Sequence, residues 1–249
     1  MAGVYRAMSI PTVKVFTIAT NAERRNFLLR NPLFQAMPED ILTALVEMMH
    51  VRHLPDRARL HDKGAPPEGM YAVVRGCIRV SSSTRDGREA LLALMEPGCW
   101  FGESSLLEGL PRAYQADAQG DSELLVMPRA QLNALLESRP ELYRHFIPFL
   151  CQRIRLSTLL LEGNALLSLE ERLASRLLLL AQNVLQGGTD EPRHTLGVSQ
   201  ENLSQMLGTS RQSINKVLKE WEQNGLIQRH YGSITLCDLS ALERLSMPG

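Results

Sequence analysis

The sequence carries no surplus of charge. Its 27 lysines and arginines balance 27 aspartates and glutamates, so no global field announces a nucleic-acid or membrane partner. Any charged partner must be met by a local patch. Lysine is scarce, confined to Lys14, Lys63, Lys216 and Lys219. Cysteine is equally sparse. Cys77, Cys99, Cys151 and Cys237 lie far apart, with no Cys-x-x-Cys pair and no zinc-finger spacing, which argues against a disulfide framework and for reduced thiols. Long apolar runs are missing too. The leucines at 177–180 are bracketed by Arg176 and Gln182 and are too short to span a bilayer, and the N-terminus lacks the apolar core of a signal peptide. The expectation is a cytoplasmic protein with no membrane partner. What is present suffices for proper cores: 249 residues, 44% hydrophobic and 22% charged, enough for one large or two medium domains.

The chain changes period as it proceeds. Residues 1–31 are polar-mixed and read as an N-terminal extension. From Met37 to His50 a short amphipathic helix opens on Pro38, Glu39 and Asp40, acidic groups suited to a helix start. Between Val51 and Met127 come short apolar runs, MYAVVRGCIRV, EALLALM and ELLVMP. Turn signals at KGAPPEG, RDGRE, EPG and EGLPR divide them, a pattern that implies an all-β roll or barrel. After Pro128 the period becomes helical. A long pattern runs from Pro140 to about Leu167, with Pro148 expected to kink or interrupt it near its start. Such a helix either packs on its own domain or pairs with its copy in a dimer. Ser168 with Glu171 three residues on forms a capping box for the next helix, which Gly187 and Gly188 should end.

The stretch GTSRQSINKVLKEWEQNG, Gly208 to Gly225, seals one face with Ile214, Val217, Leu218 and Trp221. Its other face carries Arg211, Gln212, Asn215, Lys216 and Lys219. Upstream, Ser199 caps a short helix ending at Leu207, and Gly208 stands where a tight turn needs positive φ. Two short helices joined by such a turn make a helix-turn-helix, and the strands LIQRH and SITLCD that follow read as a wing. A plain solvated face would also explain the polar residues, since residues 168–249 carry about eight basic and nine acidic side chains. Turn, partner helix and wing together favour reading of double-stranded DNA. Arginine can pair with guanine O6 and N7, and glutamine with adenine N6 and N7. Small hydroxyls at a helix N-terminus suit a backbone phosphate. The DNA-facing set is Ser199, Gln200, Thr209, Ser210, Arg211, Gln212, Ser213, Asn215, Lys216 and Lys219.

In these residues the chain resembles the CRP/FNR family of transcription regulators, from about Pro32 to Asp238. The run VSQENLSQMLGTSRQSINKVLKEWEQNGLI carries the likeness, with base-reading roles falling on Arg211, Gln212 and Lys216. Gln212 stands where well-known members carry glutamate, which points to a changed half-site. In the roll, PGCWFGESSLLEGLPRAYQA resembles the family's phosphate cassette through Gly102, Glu103, Ser105, Leu106 and Arg112. The resemblance implies an effector set of Gly102, Glu103, Ser104, Ser105, Arg112, Ala113 and Tyr114, joined by Ser157 and Thr158 of the long helix. Ala113 replaces a phosphate-binding hydroxyl, however, and Tyr114 fills a slot usually held by alanine. No cofactor is assigned outright: the effector is a cyclic nucleotide (cAMP or cGMP), a cyclic dinucleotide, or absent.

The implied fold is α+β: a cyclic-nucleotide-binding-type β-roll (jelly roll) over 32–138, a dimerisation helix over 139–167 and a winged helix-turn-helix over 168–249. The implied partners are a second copy of the chain, DNA and RNA polymerase, and DNA bending is implied as well. Two alternatives stand beside this reading. One is a ligand-independent regulator whose roll is only a scaffold. The other is a metal-dependent β-barrel enzyme, for which the roll offers His53 and His61, near His50, but no nucleophile–base motif. A His pair at i, i+3 could share a metal on a helix face, and no metal site is assigned. Cys99 beside Trp100 reads as a buried small hydrophobe, with a redox-active thiol as the alternative.

Overall fold

The computed structural model describes residues 18–84, 86–182 and 194–246. Gly187 and Gly188, expected to end a helix, and most of the N-terminal extension lie outside the described residues.

Three helices lead into the roll: α1 (Asn21–Leu28), α2 (Pro32–Gln35) and α3 (Glu39–Met48). The sequence reading found only the third of these. The α1 helix begins on a capping box, Thr20 with Glu23. The strands β1 (His50–Leu54), β2 (Arg59–His61), β3 (Gly69–Arg75), β4 (Ile78–Ser83), β5 (Glu89–Met95) and β6 (Trp100–Phe101) follow. After α4 (Glu103–Glu108) come β7 (Gln115–Ala118) and β8 (Ser122–Pro128). They form two four-stranded sheets, ordered β1-β8-β3-β6 and β2-β7-β4-β5.

The hydrophobic run of β3 follows from burial on both of its faces. Tyr71 and Val73 point between the sheets, against Ile78, Phe101, Leu124 and Val126. Met70, Ala72 and Val74 point outward, under Phe34, Ile41, Leu45 and Trp100. Cys99 is buried between the sheets, and none of the four cysteines forms a disulfide.

From the roll, α5 (Arg129–Ser138) and a 3-10 turn (Pro140–Leu142) lead into α6 (Tyr143–Leu166). The α6 helix runs through Pro148 without interruption, so of the two expected outcomes, a kink or a break, the break does not occur. Proline removes one backbone donor, but the packing of Phe146 and Phe149 on either side holds the helix to the roll. Arg153 adds a bond from Nη2 to the Trp100 carbonyl at 2.6 Å. Elsewhere α6 leaves Ile147, Ile154, Leu161 and Leu166 in solvent. Among the described residues no helix is long and apolar enough to cross a membrane.

The C-terminal module comprises α7 (Leu169–Ala181), β9 (Thr195–Leu196), α8 (Gln200–Leu207), α9 (Arg211–Gln223), β10 (Ile227–His230), β11 (Ser233–Leu236) and α10 (Leu239–Leu245). The α7 helix starts on the expected Ser168/Glu171 box. The small sheet is ordered β10-β11-β9. The module's core reaches into the roll, where Leu91 and Leu94 of β5 are buried with Leu177, Leu203 and Met206. Arg79 of β4 spans the same boundary, pairing with Glu89 and donating to Gln205 Oε1 at 2.5 Å.

Candidate functional site

The helix pair α8 and α9 is assembled by its caps. Ser199 Oγ accepts from the Asn202 backbone at 3.0 Å, starting α8. Gly208 then takes φ +62°, a conformation glycine adopts without a Cβ penalty. Ser210 caps α9, its Oγ accepting from the Ser213 backbone at 3.0 Å and lying 2.8 Å from Ser213 Oγ. The Ser199, Ser210 and Ser213 hydroxyls are therefore engaged in building helix starts, and Thr209 sits half-buried in the turn. Along α9, Ile214, Val217, Leu218 and Trp221 are buried, and Arg211, Gln212, Asn215, Lys216 and Lys219 are exposed. Gln200 is half-buried at the start of α8, and with Ser199 and Arg211 it borders a cleft of about 400 Å³ closed by His230–Ser233 of the wing. Tyr231 stands fully exposed at the wing's turn.

Arg229, absent from the sequence reading, ties this wing to α9. It forms an ion pair with Glu222 at 2.6 Å and donates from Nη1 to Asn215 Oδ1 at 2.8 Å. Hydrogen bonds from Arg229 hold the Glu222 carboxyl below the usual carboxylate range. The three residues lie on two elements, so helical spacing alone could not join them.

The roll cassette is built around Arg112, which is 3% exposed. Its Nη1 donates to the Gly102 carbonyl at 2.9 Å and its Nη2 to the Gly69 carbonyl at 2.5 Å. The guanidinium also lies 5.2 Å from the centre of the Tyr71 ring. Gly102 has φ +88°, and Glu103, the first residue of α4, is buried. Ser105 is buried beside them, while Ser104 is exposed. Three buried atoms here lack a hydrogen-bond partner: Arg112 Nε, Tyr71 Oη and His61 Nδ1. These donors and polar edges fit an anionic group. Burial, helped by the Arg112 charge, lowers the His61 pKa from 6.5 to about 4.

Other expected residues sit differently. Ala113 is exposed and Tyr114 is 48% exposed, so the tyrosine does not fill a small pocket in this chain. Neighbouring Gln115 starts β7. Ser157 and Thr158 are exposed on α6, each hydroxyl bonded to the carbonyl four residues back, Arg153 and Ile154. The structure thus brings together Gly102, Glu103, Ser105 and Arg112, while the Ser157 and Thr158 hydroxyls are spent on carbonyls of their own helix. His50 and His53 lie on a strand rather than a helix, where residues three apart face opposite sides.

Two families match the chain. Residues 51–139 match the cyclic nucleotide-binding domain, and residues 171–245 match the Crp-like helix-turn-helix domain. A cyclic AMP receptor protein of Thermus thermophilus is 31% identical over 220 residues, which is 87% of this chain and 97% of that one. A CRP-like cAMP-activated global transcriptional regulator of Mycobacterium tuberculosis is 28% identical over 219 residues, again 87% and 97% of the two chains. Among solved structures, a CRP/FNR-family transcriptional regulator of Thermus thermophilus superposes with a TM-score of 0.62 at 27% identity, over 79% of this chain and 98% of that one.

Proposed function

The chain belongs to the CRP/FNR family of transcription regulators, and on that premise we propose that it is a homodimer whose roll gates the reading of DNA by α9. The single observation that carries the reading is the division of α9. Trp221 and its apolar neighbours are sealed in the core while Arg211, Gln212 and Lys216 project into solvent beside a wing. In such modules the start of the second helix enters the major groove, and two-fold partners meet half-sites about one turn, roughly 10 base pairs, apart. The solvent-facing Ile147, Ile154 and Leu161 on α6 support pairing with a second copy. We divide the chain accordingly: roll over 32–138, dimer helix over 139–167 and DNA-binding module over 168–249, working in the cytoplasm with RNA polymerase as partner.

The effector belongs at Gly102–Arg112. Its class is an anionic cyclic nucleotide or cyclic dinucleotide, supported by Arg112 with Tyr71 beside it and by the cyclic AMP receptor protein among the relatives. When bound, it would supply a phosphate for Arg112 to pair with and a hydroxyl for Glu103 to accept from. Leu91, Leu94 and Arg79 then offer a route from the roll to α8. An effector can shift that junction only by binding one arrangement better than the other.

A specific observation also favours a second reading, a ligand-independent regulator. Both terminal nitrogens of Arg112 are already on main-chain carbonyls, and Ala113 brings no hydroxyl. Calorimetric titration of the full chain with cyclic AMP, cyclic GMP and cyclic di-GMP separates the two, with DNA affinity measured in parallel. Saturable binding of one of them with a change in DNA affinity supports gating. No binding and an indifferent DNA affinity overturns it in favour of the second reading.

A further inference from the structure

The wing of the C-terminal module reaches back to the helix beside it. Arg229 donates Nη2 and Nε to Glu222 Oε2 at 2.6 and 2.9 Å, and its backbone N–H meets Glu222 Oε1 at 2.9 Å. This clamp fixes the guanidinium and leaves Nη1 directed at Asn215 Oδ1, 2.8 Å away. A guanidinium has donors only, so the amide oxygen must be the atom that faces it. Asn215 is exposed on α9, one turn beyond Arg211 and on the same face.

An asparagine reads adenine by accepting from N6 and donating to N7 at once. With its oxygen turned to Arg229, Asn215 has one of that oxygen's two lone pairs filled by a cation, so it offers a base mainly its N–H groups. Donors of that kind match guanine O6 and N7 together or thymine O4, whereas adenine offers them N7 alone and sets its N6 donor against them.

We infer that Arg229 is a specificity-determining positioning residue: by holding the Asn215 oxygen it turns the amide donor-first, so that Asn215 favours guanine or thymine over adenine. The inference rests on α9 being the major-groove helix, and it adds a residue of the wing to base selection without requiring the wing to touch a base.

The test uses the full chain and a pool of duplexes randomised across two half-sites about one helical turn apart. Asn215→Ala should flatten the preference at one base pair in each half-site, which marks the position Asn215 reads. Arg229→Met should change that same base pair and raise adenine there by about tenfold against guanine and thymine. In the double variant Arg229→Met should add nothing at that position, because no amide remains to be turned. Glu222→Gln loosens the clamp without removing Arg229 and should move the same base pair in the same direction by less. It keeps the question decidable if Arg229→Met folds poorly.

Three results overturn the inference. Arg229→Met could weaken every duplex alike and lower the salt slope by about one, which would make Arg229 a phosphate contact. Asn215→Ala could change no base pair. The parent could enrich no sequence at all, in which case the reading of α9 falls with it. Arg211→Ala, run alongside, separates these failures. If it loses a base pair while the Asn215 and Arg229 variants change none, α9 keeps its role and only this inference is lost.

Discussion

Arg112 and Gly102 are fitted to each other. Nη1 of the arginine donates to the glycine carbonyl at 2.9 Å, and a Cβ on Gly102 would lie 2.7 Å from that same nitrogen. The glycine is also at φ +88°, so its lack of a side chain serves both the turn into α4 and the seat of the guanidinium. Gly102→Ala should therefore lose about 1–2 kcal/mol to backbone strain and a further ~1–3 kcal/mol from the displaced charged hydrogen bond. Gly64→Ala is the natural control. Gly64 has a similar φ of +85° but nothing within 4 Å of the added Cβ, so it should show the backbone cost alone. Denaturant midpoints at constant slope measure both. Equal losses in the two variants would mean that Gly102 does not shape the arginine's seat.

His61 should make stability depend on pH. Its Nδ1 is buried without a partner, and its ring lies against Tyr71 at 6.1 Å between centroids. Burial first, then the Arg112 charge, lowers the pKa from 6.5 to about 4, against smaller opposing effects of the Asp62 backbone, the Glu68 carboxylate and the Tyr114 backbone. A folded value below the unfolded one means that the unfolded chain takes the proton first. Stability is then full above pH 6.5, declines as the pH falls through the interval, and levels off below about 4. Because solvent reaches part of the ring, the loss should be on the order of 1–2 kcal/mol. Carboxylates titrate in the same window, so the reading is the difference between parent and His61→Phe. Parallel stability–pH curves for the two would show that His61 does not titrate in this way.

The parts of the fold legible in the sequence are those whose cause is local. The Ser168/Glu171 box, the Gly208 turn and the alternation of Ile214, Val217, Leu218 and Trp221 against charged residues are set by neighbours within a few positions. The α+β architecture and the roll followed from the change of period at Val51 and again at Pro128. Elements with little of their own signal escaped. The α1 helix buries only Phe27 and Leu28, β9 has two residues, and α4 is a six-residue piece between two glycines. Pro148 was expected to kink or interrupt α6, and what keeps the helix unbroken, the packing of Phe146 and Phe149, is tertiary. Within the candidate site, the exposed face of α9 could be read from helical spacing. The carbonyls that hold Arg112 come from positions 69 and 102, and the Arg229–Asn215 bond crosses from strand to helix, so no periodicity reports either.

The boundary between roll and C-terminal module should be cooperative. Leu91 and Leu94 are 2% and 3% exposed, and they share a core with the leucines of α7 and α8. Replacing either with alanine should cost about 2–4 kcal/mol through lost burial and the cavity left behind. Because the cavity opens between modules, the double variant should split one thermal transition into two, with the C-terminal module melting first. A single transition at the parent's midpoint would show that these leucines do not join the modules.

Arg211 and Lys219 share the exposed face of α9 and should fail in different ways. Arg211 is the first residue of α9, the end that in helix-turn-helix modules enters the groove, and its planar fork can meet guanine O6 and N7 together. Lys219 lies more than two turns further along with a point charge on a flexible stem, a geometry suited to phosphate rather than to a base edge. On a duplex enriched by the parent, Arg211→Ala should lose about 1–3 kcal/mol, and most of that loss should disappear when its one base pair is replaced. Lys219→Ala should weaken enriched and scrambled duplexes alike and reduce the slope of log affinity against log salt by about one. The decisive comparison is each variant on both duplexes at two salt concentrations. If Arg211→Ala weakens both duplexes equally and flattens the slope, the arginine holds the backbone and selection passes to Gln212 and Lys216. If neither variant departs from the parent on either duplex, α9 is not the reading helix.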